Sequence, residues 1–134
     1  MTEWVKIGNR EFRAIVEEVS ESFNILYSEN TGRTLEVGAP MTLDPLGTFF
    51  GHKITFRRKQ GFEKDYDNLF NYVSVPRYDG VPVTLPHGQA TISYTAYISQ
   101  GERSLKRIDE RTGEVYWDKF TLNIVPMKAQ VLPE

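Results

Sequence analysis

The chain has 134 residues, 18 acidic and 16 basic side chains, a formal net charge of -2, 40% hydrophobic residues and no cysteine. That length suits one hydrophobic core, and the lack of cysteine excludes disulfides, thiolate catalysis and cysteine-ligated zinc. Charge this close to balance supplies no global attraction to nucleic acid, and no apolar run approaches the ~20 residues that a membrane-spanning helix needs.

Met1, Thr2, Glu3 and Trp4 lack the basic flank and apolar stretch of a signal peptide, so the expected setting is the cytosol. Trp4 to Ile7, then Gly8 and Asn9, then residues 11–16 predict a strand, a tight turn and a second strand, an opening hairpin. Residues 16–19 could form one helical turn, but the β-branched neighbours and short length favour strand. Residues 22–27 predict another strand, and Asn30, Thr31 and Gly32 a turn into a strand over 33–37. Residues 41–44 alternate, 45–47 interrupt, and 48–58 carry the longest strand signal of the first half, with Ile54 and Phe56 facing the core and Gly51 marking a bulge or close backbone approach.

The period then changes. Phe62, Tyr66, Leu69, Phe70 and Val73 share one stripe of a helix of about three turns, with Glu63 and Asp65 near its positive end and Pro76 beyond its close. After a turn at 77–80, residues 81–85 predict a strand, 86–89 a turn, and 90–98 the clearest amphipathic strand, with Ala90, Ile92, Tyr94, Ala96 and Ile98 on one face. Gln100 and Gly101 break it, and residues 104–108 and 114–117 flank a five-residue loop to make a hairpin. The last strand, 120–125, places Phe120, Leu122 and Ile124 inward. The odd spacing from Trp117 to Phe120 predicts a bulge near Asp118 and Lys119. The tail, 126–134, retains Met127, Val131 and Leu132 and is expected to dock on a neighbour or to fray. The expected fold is therefore mainly β (α+β): an antiparallel β-sandwich or barrel-like sheet in one domain over 1–134, with one amphipathic helix at about 62–73 and a protruding hairpin at about 102–118.

Catalytic patterns are sparse. His52 and His87 are the only histidines, in no spacing typical of zinc or iron sites, and His87 lies in a turn as an exposed loop residue. No GxxxxGK loop or GxSxG elbow occurs, so neither an enzyme nor a cofactor is expected. The strongest charge feature is Arg103, Lys106, Arg107 and Arg111, interleaved with Glu102, Asp109 and Glu110. That mixture fits a solvated arm, either merely soluble or paired with another subunit, better than a nucleic-acid groove. Tyr116 and Trp117 at the base of the arm supply the contact area typical of interface anchors, or else complete the core. Carbohydrate or peptide binding through Tyr78, Tyr97, Tyr116 and Trp117 is the alternative reading.

The stretches Asn30-Thr31-Gly32-Arg33-Thr34-Leu35, Gly47-Thr48-Phe49-Phe50-Gly51-His52-Lys53-Ile54-Thr55-Phe56 and Gly113-Glu114-Val115-Tyr116-Trp117-Asp118-Lys119-Phe120 resemble small structural proteins of tailed bacteriophages and prophages of Gram-positive bacteria. The resemblance runs from about residue 30 to 133 and rests on texture and element order, not on a catalytic motif. It implies a compact β-domain with one flanking helix and interlocking hairpins, self-association as a homo-oligomer, and docking to other phage tail or baseplate proteins. It also implies a place in the virion tail, with assembly in the host cytoplasm, and no membrane, specific nucleic acid or cofactor.

Overall fold

Two-residue alternation along most of the chain produces strands, and in the computed structural model, which describes residues 4–134, strands account for 56% of the described residues beside one helix. In chain order they are β1 (Lys6–Ile7), β2 (Ala14–Tyr27), β3 (Gly32–Arg33), β4 (Met41–Thr42), β5 (Pro45–Arg58), α1 (Glu63–Val73), β6 (Val81–His87), β7 (Ala90–Asp109) and β8 (Glu114–Pro126). Six of them form an antiparallel sheet in the order β1-β6-β7-β8-β5-β2, and β3 and β4 pair separately. The sheet does not close into a barrel. It does bend round its core face: His87 at the end of β6 reaches Glu21 on β2, although β7, β8 and β5 separate the two strands in the sheet.

The inward face follows the alternation. Ile54 and Phe56 of β5, Phe120, Leu122 and Ile124 of β8, Val81, Val83 and Leu85 of β6 and Ala96 of β7 are buried together with Val5, Ile7, Phe12 and Ala14. Helix α1 lies on this face through Tyr66, Leu69 and Val73, with Phe70 half-buried beside them. Each large side chain removed from water this way contributes about 1.5–3 kcal/mol.

The helix has no side-chain cap on its N-terminus. Its first turn is held from both sides: Glu63 accepts from the Gly61 N–H at 3.2 Å, and Asp65 accepts from the Arg13 N–H at 2.8 Å. Both carboxylates sit where the macrodipole is positive. At the other end the Arg77 guanidinium donates to the carbonyls of Tyr72 and Val75 at 2.7 and 3.0 Å, satisfying groups that the last turn leaves without a helical partner.

Several local expectations change in the assembled sheet. The opening turn forms, with Ile7 bridging Arg10, but the strands on its two sides do not pair as a hairpin. β1 joins β6 and β2 joins β5, at opposite edges of the sheet. Residues 33–37 do not form a strand beyond Arg33, because β3 turns back through 34–39 to meet β4. Residues 45–47 do not interrupt β5, which takes them in. Gly51 pairs in register with Ser22 and marks neither a bulge nor a tight approach; β2 and β5 shift register between Val16 and Glu18 and between Leu26 and Tyr27, and a close approach falls at Gly47, where a Cβ would stand 2.5 Å from that of Ala129. Gln100 and Gly101 mark a register shift inside β7, not its end, since pairing to Asn123 and Leu122 carries the strand onward. The bulge predicted at Asp118 and Lys119 is present: Arg103 pairs with Phe120 and Leu105 with Trp117, leaving an extra residue in β8. The tail docks on the chain's own β5, with Val131 bridging Thr48 and the Gln130 side chain bonding both backbone groups of Phe50.

Gly80 fixes how the chain enters β6. Its φ is +74°, and a Cβ there would lie 2.5 Å from the Ala96 carbonyl oxygen, which is ladder backbone and cannot swing aside. Gly80→Ala is expected to lose about 1–3 kcal/mol, read as a lower urea midpoint at unchanged m-value.

Candidate functional site

The sheet extends past its own core at two places. β6 accompanies β7 only as far as the Val81–Ala96 pair, and β5 accompanies β8 only over His52–Ile124 to Phe56–Phe120. Beyond those limits β7 and β8 continue as a two-stranded arm that ends in the loop at 110–113.

Of the six arm residues that the sequence singles out, Lys106 and Arg111 are exposed, Arg111 in the tip loop. Arg107 stacks on Tyr116 at 4.3 Å, and the Tyr116 hydroxyl donates to Glu114 at 2.7 Å. Tyr116 and Trp117 share a polar groove with Arg57, Arg58, Lys106 and Arg107. Arg103 is committed inside the chain: its guanidinium lies 4.0 Å from the ring centre of Phe70 and 4.3 Å from that of Trp117, ion-pairs with Asp67 at 2.9 Å, and leaves the side chain 19% exposed. It ties the base of the arm to α1. Charge reversal therefore divides the basic residues. Arg103→Glu sets a carboxylate against Asp67 and two ring faces and is expected to lose about 1–3 kcal/mol. Lys106→Glu should change the thermal transition by less than about 0.5 kcal/mol. Equal effects in a pair of denaturation curves would contradict this division.

The four aromatics of the alternative reading do not form one platform. Tyr116 and Trp117 belong to the arm groove, Tyr97 lines a cavity beside the end of α1, and Tyr78 stands fully exposed in the turn before β6.

The second extension is made by β2 and β5. Past the pair Glu21–His52 the two strands run on to Tyr27 and Pro45. There the inward face loses the layer that covers it elsewhere, and Phe23 is 68% exposed. Leu26, Met41, Leu43 and Leu46 are exposed too, and Leu35 and Val37 at the far turn are fully so. Among the described residues no strand pairs with the outer edge of β2 from Glu18 to Tyr27.

Where the β2–β5 extension leaves the core, four polar side chains meet that no sequence motif connects. His52 is 3% exposed and the only buried polar residue among those described. Its Nε2 faces the Pro86 carbonyl at 3.0 Å and Glu21 Oε2 at 3.1 Å, two acceptors, so it carries the proton. Nδ1 then accepts from the Tyr94 hydroxyl at 2.8 Å. His87 Nδ1 donates to the same Glu21 oxygen at 2.7 Å, and its ring stands edge-on to Phe50. Burial holds the His52 pKa below the ordinary histidine value, against the pull of Pro86 and Glu21, and pushes the Tyr94 phenol up. The network closes the mouth of the bent sheet with every buried side-chain polar atom satisfied. A signal for His52 was present in the sequence: it has the parity of Ile54 and Phe56, which places it inward. Nothing local predicted that Glu21 and His87 would join it.

Among the described residues no group of three or more acidic or histidine side chains is arranged to hold a metal ion, and no helix is long and apolar enough to cross a membrane. Neither a family model nor a curated protein matches the chain.

Proposed function

We propose that this chain is a structural subunit of a phage or prophage tail or baseplate, acting by self-association and by docking to companion tail proteins. The observation that carries the reading is the β2–β5 arm: an unpaired strand edge beside Phe23, Leu26, Leu35 and Val37, all exposed. Long open edges with apolar neighbours are aggregation liabilities in a monomer, and ordered assembly covers them. The reading also places the chain in the virion, reached from the host cytoplasm during assembly, with no catalytic step.

Light scattering across a concentration series, followed by negative-stain imaging, tests the assembly. Rings, tubes or a rising mass are expected. A chain that stays monomeric at every concentration and binds a glycan on an array would instead identify a binding module. The tail assignment is tested by the genes beside this one: capsid, tail and lysis genes are expected, and a metabolic operon would overturn it.

A further inference from the structure

We propose that copies join head to tail by antiparallel strand addition, the outer edge of β2 in one copy pairing with residues 97–107 of β7 in the next. The inference deepens the self-association reading and rests on it. Two long edges of the sheet are open among the described residues. One is β2 from Glu18 to Tyr27, and the other is β7 past Ala96, where β6 ends and β8 remains on one side only.

The second edge is furnished for a strand. Beside residues 97–101 lies a cavity of about 420 Å³ walled by Phe70, Val73, Val81, Phe120 and Leu122. A free backbone edge with an apolar recess beside it suits strand addition, in which the ladder supplies affinity and the recess takes alternate side chains. Further along the same edge come the exposed Lys106 and Arg107, while Arg103 is already held by Asp67.

β2 carries the complementary features in the opposite order. Read backward from Tyr27, it presents Leu26, Ile25 and Phe23, then Glu21, Glu18 and Glu17, with no basic residue anywhere in the strand. Glu17 meets Arg57 and Lys119 and Glu21 meets His52 and His87 within the chain, so Glu18 is the carboxylate left for a partner. Antiparallel pairing thus lays the apolar half on the cavity and Glu18 on the basic arm, whereas parallel pairing would reverse both matches. Pairing of β2 with β2 would offer Glu18 no basic residue and leave the cavity unused.

One register satisfies all of these features. Phe23 opposite Gly101 puts Glu18 opposite Lys106, and Gly101 has no side chain to obstruct the incoming ring. Gly101 pairs with buried Leu122, and Phe23 has the parity of Val19, which packs on the core, so both face the core side of their sheets. Because the two edges differ, the contact is heterologous, and repetition gives a ring or a helical filament.

Two sets of variants of the full chain test it. Glu18→Lys should raise the concentration for half-assembly about tenfold, and adding Lys106→Glu in the same chain should restore it. Both positions are exposed, so the thermal transition should stay put. The chain has no cysteine, so Asn24→Cys with Gln100→Cys should give a ladder of disulfide-linked dimers, trimers and larger species on oxidation, and each single variant none. Cross-linking of Asn24→Cys alone would show β2 paired with β2 and overturn the proposal. Oligomers indifferent to both sets would overturn this contact while leaving self-association standing. A wild-type chain that never oligomerises would remove both.

Discussion

Phe120→Ala is expected to lower stability by about 3–5 kcal/mol. Phe120 is fully buried and sits where three elements meet: its ring centre is 5.8 Å from Phe56 on the neighbouring strand, and 6.1 and 5.1 Å from Tyr66 and Phe70 on the helix. The edge-on contacts with Tyr66 and Phe70 add to the area term. The bulge at Asp118 and Lys119 raises the effect further, because it is what turns Phe120 inward after Trp117, and Tyr66 donates to the Asp118 carbonyl at 3.0 Å. Small domains have total stabilities of about 5–15 kcal/mol, so the variant should be partly unfolded near 37 °C. Urea denaturation of the variant beside Tyr97→Ala, an exposed aromatic on β7, provides the comparison. A loss below about 1 kcal/mol for Phe120→Ala would mean the helix is not held by this cluster.

The second large effect is at His52. His52→Ala opens a cavity and strands the Tyr94 hydroxyl and the Pro86 carbonyl together, which should cost about 2–4 kcal/mol. His52→Gln can keep one bond and should lose less. The same residue sets a pH dependence. Burial keeps the folded-state pKa below the ordinary value, so on acidification the unfolded chain takes up a proton near pH ~6.5 while the native one does not. The stability that neutral His52 supplies is therefore complete above that pH, falls as pH drops below it, and levels off once the native imidazole also protonates. The slope is at most about 1.4 kcal/mol per pH unit for one proton. Glu21 faces the ring and favours its cation, His87 opposes it, and the Tyr94 hydroxyl would have to turn from donor to acceptor. Thermal midpoints from about pH 8 to about pH 5 should decline in the wild type, and the decline should be shallower in His52→Gln. Parallel curves would show that His52 does not control this part of the profile.

Much of the candidate surface was visible as residue type but not as role. Arg103, Lys106 and Arg107 form one charged run in the sequence, yet the first is held by Phe70, Trp117 and Asp67 and only the others face outward. The helix that contributes Phe70 and Asp67 lies more than thirty positions earlier, and no local pattern connects it to the arm. The exposed β2–β5 arm is hidden in the sequence for a related reason. Phe23, Ile25 and Leu26 look like core residues by hydropathy, and only the end of the covering layer leaves Phe23 in water.

The sequence by itself determined which face each side chain takes. Ile54 with Phe56, Leu122 with Ile124, and the Tyr66, Leu69, Val73 stripe follow from the two-residue pleat and the 3.6-residue turn, both set by covalent geometry and backbone sterics. The tertiary structure alone decided which edges meet: β1 and β2 leave one turn for opposite sides of the sheet, β7 runs on through Gly101, and Glu21, His52 and His87 converge from distant strands. Backbone donors and acceptors are chemically alike in every strand, so pairing is chosen by the burial that the whole chain achieves, and that sum is nowhere written locally.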